Sequence, residues 1–234
     1  MRVSKMPAMC MKVSDVTEIL EKSVPGFMPG FDGFQKIIEP FFKAELNNAH
    51  TLVAYIPRID CENDPSYRQF IIYAVVRSSD AKVLVYNRQD KDAGVGESRL
   101  AGAASIGFGG HSEPEDCYQE LPWNSLMASM HRELREELHH DSGYVMAFEE
   151  EAYDSKLLGV INSSATDVDK VHLAIVVGID LPYSSEEMDS CSVLHSKEPD
   201  QIKNLRWVPV ESLSQEANLE SWSAAIVQSN VLVG

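Results

Sequence analysis

The residues best suited to chemistry lie between Gly107 and His140, in the stretch GFGGHSEPEDCYQELPWNSLMASMHRELREELHH. Glu133, Glu136 and Glu137 fall on one narrow face if that part is helical, because successive residues turn by about 100°. Three carboxylates on one face offer oxygen ligands to a hard divalent cation, which binds through a few carboxylates and keeps water for the rest of its shell. Met127, Met130, Leu134 and Leu138 form an adjoining apolar stripe that can seat the helix on a core. Asn124 is a good N-cap and no Pro or Gly follows before His140, so a helix is expected over that span. Charge alone does not demand a metal. Like charges one turn apart on an exposed helix cost only about 0.2–0.5 kcal/mol per pair, and Arg132 and Arg135 offset that. What lifts these carboxylates above an ordinary solvated face is the Gly109-Gly110 turn just upstream, which follows an expected strand.

The elements that must hold this turn and helix are legible as apolar runs. Strand signals occupy Thr51–Arg58, Phe70–Arg77 and Lys82–Arg88, the last two flanking a hairpin loop at Ser78–Ala81. Ala103–Phe108 leads into the Gly turn. Lys156–Ser163 and the long apolar Val171–Leu181 follow, the latter expected in mid-sheet. Asn204–Val210 is a last strand, and Ser214–Leu232 a closing helix. Gln89–Gly102 reads as a polar excursion and Tyr183–Lys203 as an acidic loop. The first 50 residues read as an N-terminal extension: VPGFMPGFDGF as a loop in which Pro25 and Pro29 oppose helix, and GFQKIIEPFFKAEL as a short helix kinked at Pro40. Strands that come singly and in hairpins around one central and one terminal helix predict an α/β fold with a mixed sheet between helices. Residues 51–234 form that domain.

Arg132-Glu133-Leu134-Arg135-Glu136-Glu137 resembles, at every position, the R-E-U-x-E-E core of the Nudix hydrolases, in which U is bulky and apolar. Gly109-Gly110 is similar to the glycines that open the same box. The resemblance covers roughly Tyr67–Leu213; DPSYRQFIIYAVVR and GESRLAGAASIGFGGH look like a phosphoesterase-like branch of the family, and RWVPVESL like the segment after its last strand. Three departures stand out. From Gly110 to Arg132 is 22 positions where the family pattern has 14, so this chain carries 8 extra residues. Asp116, with Glu115 beside it, stands where the first Glu of the box is expected. His139 replaces the Gly that follows the paired glutamates.

The resemblance implies an α/β/α sandwich and a hydrolase that cleaves a diphosphate (pyrophosphate) linkage in a nucleoside diphosphate derivative by water attack on phosphorus, with Mg2+ or Mn2+. By position it makes Glu133, Glu136 and Glu137 metal ligands, with the Gly109 carbonyl as a further donor. Glu133 is either a ligand or orients the attacking water. Arg132 holds the glutamates by charge-assisted hydrogen bonds. Asp116 or Glu115 completes the box, and Glu198 in SKEPD stands where some members place another acid. The altered box leaves an alternative: a non-catalytic Nudix-fold module that binds a nucleotide or a protein.

Outside the box, Arg88, Lys91 and Arg99 lie near the Gly turn, where a phosphate could meet them. His111 follows the turn and can touch a phosphate, an acidic loop partner or a structural hydrogen-bond partner. His172, in an apolar strand, reads as a core histidine, and His139-His140 as helix-terminal residues favoured by the dipole. A formal charge of −16 argues against a nucleic-acid polymer, which needs a basic stripe, but leaves a small phosphorylated substrate open through a metal. Four scattered cysteines (Cys10, Cys61, Cys117, Cys191) favour free thiols and a cytoplasmic setting. Neither an apolar leader nor an apolar run of membrane-spanning length is present, so no membrane partner is expected. The aromatic-rich arm leaves room for a homodimer.

Overall fold

A strand whose side chains are apolar on both sides must be covered on both sides, and FIIYAVV at residues 70–76 is such a run. In the computed structural model, which describes residues 6–14, 17, 26–30, 53–88, 102–116, 122–140, 153–190, 194–196 and 202–233, it forms the middle of a long central strand. The elements in chain order are β1 (Pro7–Lys12), β2 (Gly26–Pro29), β3 (Val53–Pro57), α1 (Arg58–Cys61), β4 (Tyr67–Arg77), β5 (Lys82–Arg88), β6 (Ala104–Ser105) and β7 (Gly107–Phe108). There follow α2 (Pro122–Glu137), β8 (Leu138–His140), β9 (Asp154–Asn162), β10 (His172–Asp180), α3 (Ser185–Ser190), β11 (Leu194–Ser196), β12 (Ile202–Pro209) and α4 (Ser221–Gln228).

The described strands build a 10-stranded sheet with the order β12-β5-β4-β10-β9-β2, to which β1 and β7 add beside β4, β6 beside β5, and β3 beside β1. The β4–β10 pair is parallel, with His172 opposite Gln69 and Ile175 opposite Ile72; its neighbours β9, β5 and β7 pair antiparallel. The sheet is therefore mixed. Phe70, Ile72, Ala74 and Val76 point to one face and pack with Leu126, Met130 and Leu134 of α2. Ile71, Tyr73 and Val75 point to the other and pack with Ile226 of α4. Helix, sheet and helix make the expected α/β/α sandwich, and β10 lies in mid-sheet as its apolar run requires.

Several boundaries differ from the sequence reading. The helix begins at Pro122 rather than after Asn124, since proline is tolerated in a first helical turn, where its missing N–H has no partner to lose. It stops at Glu137, and Leu138–His140 pair as a strand with Leu194–Ser196 instead of closing the helix. Without a glycine at 139 to reverse the chain, extended pairing satisfies the backbone instead. Tyr183–Lys203 holds α3 and β11 rather than one loop. The closing helix is split: a 3-10 segment, Val210–Gln215, precedes α4, and Asn218 between them takes φ 64°, a left-handed bend that suits Asn. Two pieces of the first 50 residues, Pro7–Lys12 and Gly26–Pro29, are strands of the main sheet. The segment GFQKIIEPFFKAEL and the polar excursion from 89 to 101 lie outside the described residues. Among the described residues no helix is long and apolar enough to cross a membrane.

Leu134 is wholly buried between α2 and the sheet. Leu134→Ala is expected to lower unfolding free energy by about 2–5 kcal/mol, measured by urea titration of both proteins.

Candidate functional site

The site grows out of the turn after β7. Gly109 has φ +131°, and a Cβ there would lie 2.4 Å from the Ile72 carbonyl oxygen, so only glycine lets the chain pass this close to β4. Gly110 faces α2: a Cβ there would sit 2.8 Å from Glu133 Oε1 and push that side chain aside. The Gly110 carbonyl accepts from the Ile72 amide at 3.0 Å, and the Gly109 amide donates to Glu137 Oε2 at 2.8 Å. The turn is thereby stitched to β4 on one side and to α2 on the other.

Arg132 organises the carboxylates. Its Nε donates to Asp116 Oδ1 at 2.9 Å, and one terminal nitrogen to Asp116 Oδ2 and the His111 carbonyl, both at 3.0 Å. The other donates to Glu133 Oε1 at 3.0 Å and Glu136 Oε2 at 3.1 Å. Asp116 is buried at the end of the short 3-10 turn Pro114–Asp116 and also accepts from the Glu113 amide and Ser129 Oγ, each at 2.9 Å. Of the two acids that the sequence left open, Asp116 makes this contact, while Glu115 is exposed.

Burial pushes the Glu133 carboxyl up, against the attraction of Arg132, to about 7. Burial acts in the same direction on Asp116, but the hydrogen bonds from Arg132, the Glu113 amide and Ser129 outweigh it and hold the group below the usual carboxylate value. Glu136 is different again, with a side chain 54% exposed. The α2 face thus presents one sheltered carboxyl that can hold or release a proton near neutrality, one open carboxylate, and Glu137 fixed by the turn. An all-oxygen set of this kind fits a hard divalent ion.

On the other side of β4, Arg88 is committed to a buried network. Its Nε pairs with Glu220 Oε2 at 2.9 Å, and its guanidinium lies 5.6 Å from the Tyr86 ring centroid. Glu220 Oε1 accepts from Tyr73 Oη at 2.7 Å and Ser105 Oγ at 2.6 Å. Burial raises the Glu220 carboxyl, but Arg88 and these hydroxyls outweigh it and hold the group below its ordinary value. Arg88, Tyr73, Gly107, Gly109, Val168 and Trp222 line a cleft with about 60 Å3 open to water. His111 turns its ring to His172, with the two Nε2 atoms 3.3 Å apart. Burial first, then Arg58, His172 and Arg132, hold His111 well below the usual histidine value, so its ring carries no positive charge at neutral pH. Arg99, Lys91 and Glu198 lie outside the described residues.

Sequence reasoning missed Ser129 and the Glu113 amide, both partners of Asp116. Ser129 left a trace, three residues before Arg132 and so on the same helix face; the Glu113 amide meets Asp116 within a local 3-10 turn that no periodicity marks.

The Glu133 shift has a consequence for stability. Between about pH 4.5 and 7 the folded protein keeps a proton that the unfolded chain has released, so stability falls as pH rises through that window. Asp116 acts oppositely: its contribution is present above the ordinary carboxylate pKa and is lost as pH falls through its depressed value. In chelator-treated protein, thermal melts from pH 5 to 8 should show the first trend, and Glu133→Gln should flatten it. An unchanged slope in that variant would place the proton elsewhere.

No family model matches the chain. Protein YmaB of Bacillus subtilis (strain 168) is 34% identical over 176 residues, 73% of this chain and 74% of that protein. Among solved structures, that of Tm1382, described as a candidate Nudix hydrolase, superposes with a TM-score of 0.66 at 21% identity, over 97% of this chain and 100% of that one. The MutT protein from Methanosarcina mazei Go1 gives a TM-score of 0.43 at 17% identity, over 68% of this chain and 90% of that one. With kinship to YmaB across most of both sequences, and an architecture shared with Tm1382 over nearly its whole length, the chain belongs to the family of Protein YmaB and is a Nudix-fold protein.

Proposed function

We propose that this chain is a Mg2+- or Mn2+-dependent hydrolase that cleaves a diphosphate linkage in a small nucleotide-like molecule. The observation that carries the reading is the α2 face. Glu133 is sheltered and poised near pH 7, Glu136 is open to solvent, and Glu137 is tied to the Gly109 amide, all beside one glycine turn. Glu133, Glu136 and Glu137, with the Gly109 carbonyl, would hold the ion. When bound, such an ion supplies Lewis acidity toward phosphate oxygens and a water of lowered pKa.

The chain's own residues do the rest. Arg132 grips Asp116 with two nitrogens and reaches Glu133 and Glu136, so it sets the spacing of the carboxylates and offsets their mutual repulsion. Glu133, when its carboxyl is ionised, can accept the proton that the attacking water loses as its oxygen bonds to phosphorus and the bridging P–O bond breaks. Arg88 lines the cleft beside Gly107 and Gly109, where Trp222 adds an aromatic wall for a planar group; Asp169 and Glu220 line it too and Arg88 is paired with Glu220, so a phosphate there would depend on the bound ion to offset the acids.

A phosphate-release screen across nucleoside di- and triphosphates, dinucleoside polyphosphates and nucleotide sugars tests this, with Mg2+ or Mn2+ present. The wild type is expected to turn over one of these classes. Glu137→Gln, which keeps the side chain's shape, is expected to lower that turnover by about 10²–10⁴-fold, the scale of several kcal/mol of lost metal-assisted stabilisation. Full activity in the variant would remove the site assignment. Tight nucleotide binding without product would favour a binding module instead.

A further inference from the structure

We propose that Glu62, His111 and His172 form a second metal site, of a kind that selects Zn2+ and is chemically distinct from the carboxylate face of α2. A Glu62 carboxylate oxygen and one ring nitrogen from each histidine all lie within 4.8 Å of one another. Glu62 and His172 are buried, and His111 is partly so. The three come from separate elements. Glu62 caps the C-terminal end of α1, with its amide donating to the Arg58 carbonyl at 2.8 Å. His111 follows the glycine turn and is bridged by its backbone to Ile71. His172 opens β10, directly opposite Gln69 of β4. Positions 69 and 71 share one face of a strand, so β4 serves as the rail on which both histidines are aligned.

The spacing of the imidazoles suits a tetrahedral ion. With Zn–N bonds of about 2.0–2.1 Å at a tetrahedral angle, two ligand nitrogens stand about 3.3–3.4 Å apart. His111 Nε2 and His172 Nε2 stand 3.3 Å apart. His172 Nδ1 lies 2.8 Å from the Val168 carbonyl, which can only accept, so Nδ1 carries the proton and Nε2 accepts from His111 Nε2; an ion would take over that lone pair and displace the His111 proton to Nδ1. The Nδ1 bond to Val168 is the outer contact that metal-bound histidines commonly make. Gln69, wholly buried, donates from Nε2 to Glu62 Oε2 over a long 3.4 Å, while its Oε1 is buried with no hydrogen-bond partner among the described residues. That polar atom beside the carboxylate is accounted for by a water on the ion's remaining position, since a water can donate to the amide oxygen.

Two imidazoles and one carboxylate are a transition-metal set rather than a magnesium set, because magnesium favours oxygen donors and dehydrates reluctantly. Three protein ligands leave a fourth position open, as in zinc sites that bind water or substrate. Arg132 connects the two centres physically: the nitrogen that holds Asp116 also donates to the His111 carbonyl.

The test is calorimetric titration of Zn2+ into the tag-free full-length chain, previously treated with chelator and held in saturating Mg2+. One equivalent is expected to bind. Glu62→Gln, close in shape to the native residue, and His111→Ala should each weaken binding by at least about 10–100-fold, while Glu136→Gln should leave it intact. Co2+ loaded in place of zinc should give the intense visible bands of a four-coordinate site, bleached by added Zn2+. Thermal melts and circular dichroism of each variant without zinc establish that it is folded, and Glu62→Gln decides the matter if His111→Ala is not. Absence of stoichiometric binding overturns the proposal, as does affinity unchanged in Glu62→Gln or lost in Glu136→Gln.

Discussion

The contact between Arg132 and Asp116 is the one on which the site depends. A guanidinium presents a rigid fork of donors, and here two of its nitrogens meet both oxygens of a single carboxylate while the rest reach Glu133, Glu136 and the His111 carbonyl. One side chain thereby joins the loop before the helix, the helix itself and the strand end after the glycine turn. Lysine could not substitute, because a point charge cannot hold four partners in a plane. The arrangement also explains how Glu133 can be buried in an acidic neighbourhood: the cation beside it limits the rise of its pKa to about 7.

The extra residues of the box are tolerated for the same reason. All 8 lie between Asp116 and Arg132, since Asp116 keeps its spacing from Gly110. Residues 122–131 of that span belong to α2, and the contact that closes it is a buried, charge-assisted pair further held by Ser129 and the Glu113 amide. Asp116 closes the 3-10 turn Pro114–Asp116, and from there it reaches Arg132 on α2.

β4 supplies the scaffold for both faces of the molecule. Its even-numbered side chains seat α2 and so aim the carboxylates; its odd-numbered ones seat α4 and support the network of Tyr73, Ser105, Glu220 and Arg88. The glycine turn lies across this strand through Ile72, which is why the carboxylate face, the cleft and the histidine pair all converge on Gly107–His111. A strand buried on both faces is among the stiffest platforms a small protein can offer, and precise sites need stiff supports.

Local pattern alone determined a good part of this. The period-3.6 stripe of Met127, Met130 and Leu134 located α2, and the same turn per residue put Glu133, Glu136 and Glu137 on one face, because a helix repeats its geometry every turn; Leu138, read as part of that stripe, belongs to β8. The unbroken apolar runs marked β4, β5 and β10, because such runs can only be buried. Other features have no local signature. That Asp116 rather than Glu115 meets Arg132 depends on how a turn docks on a helix. That His139 and His140 extend into a strand depends on a partner over fifty residues away, at Leu194–Ser196. The ring of His111 meets that of His172 across 61 residues, on a register between β4 and β10 that no window of sequence encodes. Periodicity reports which side of an element is buried; which distant side chain waits there is decided only when the sheet assembles.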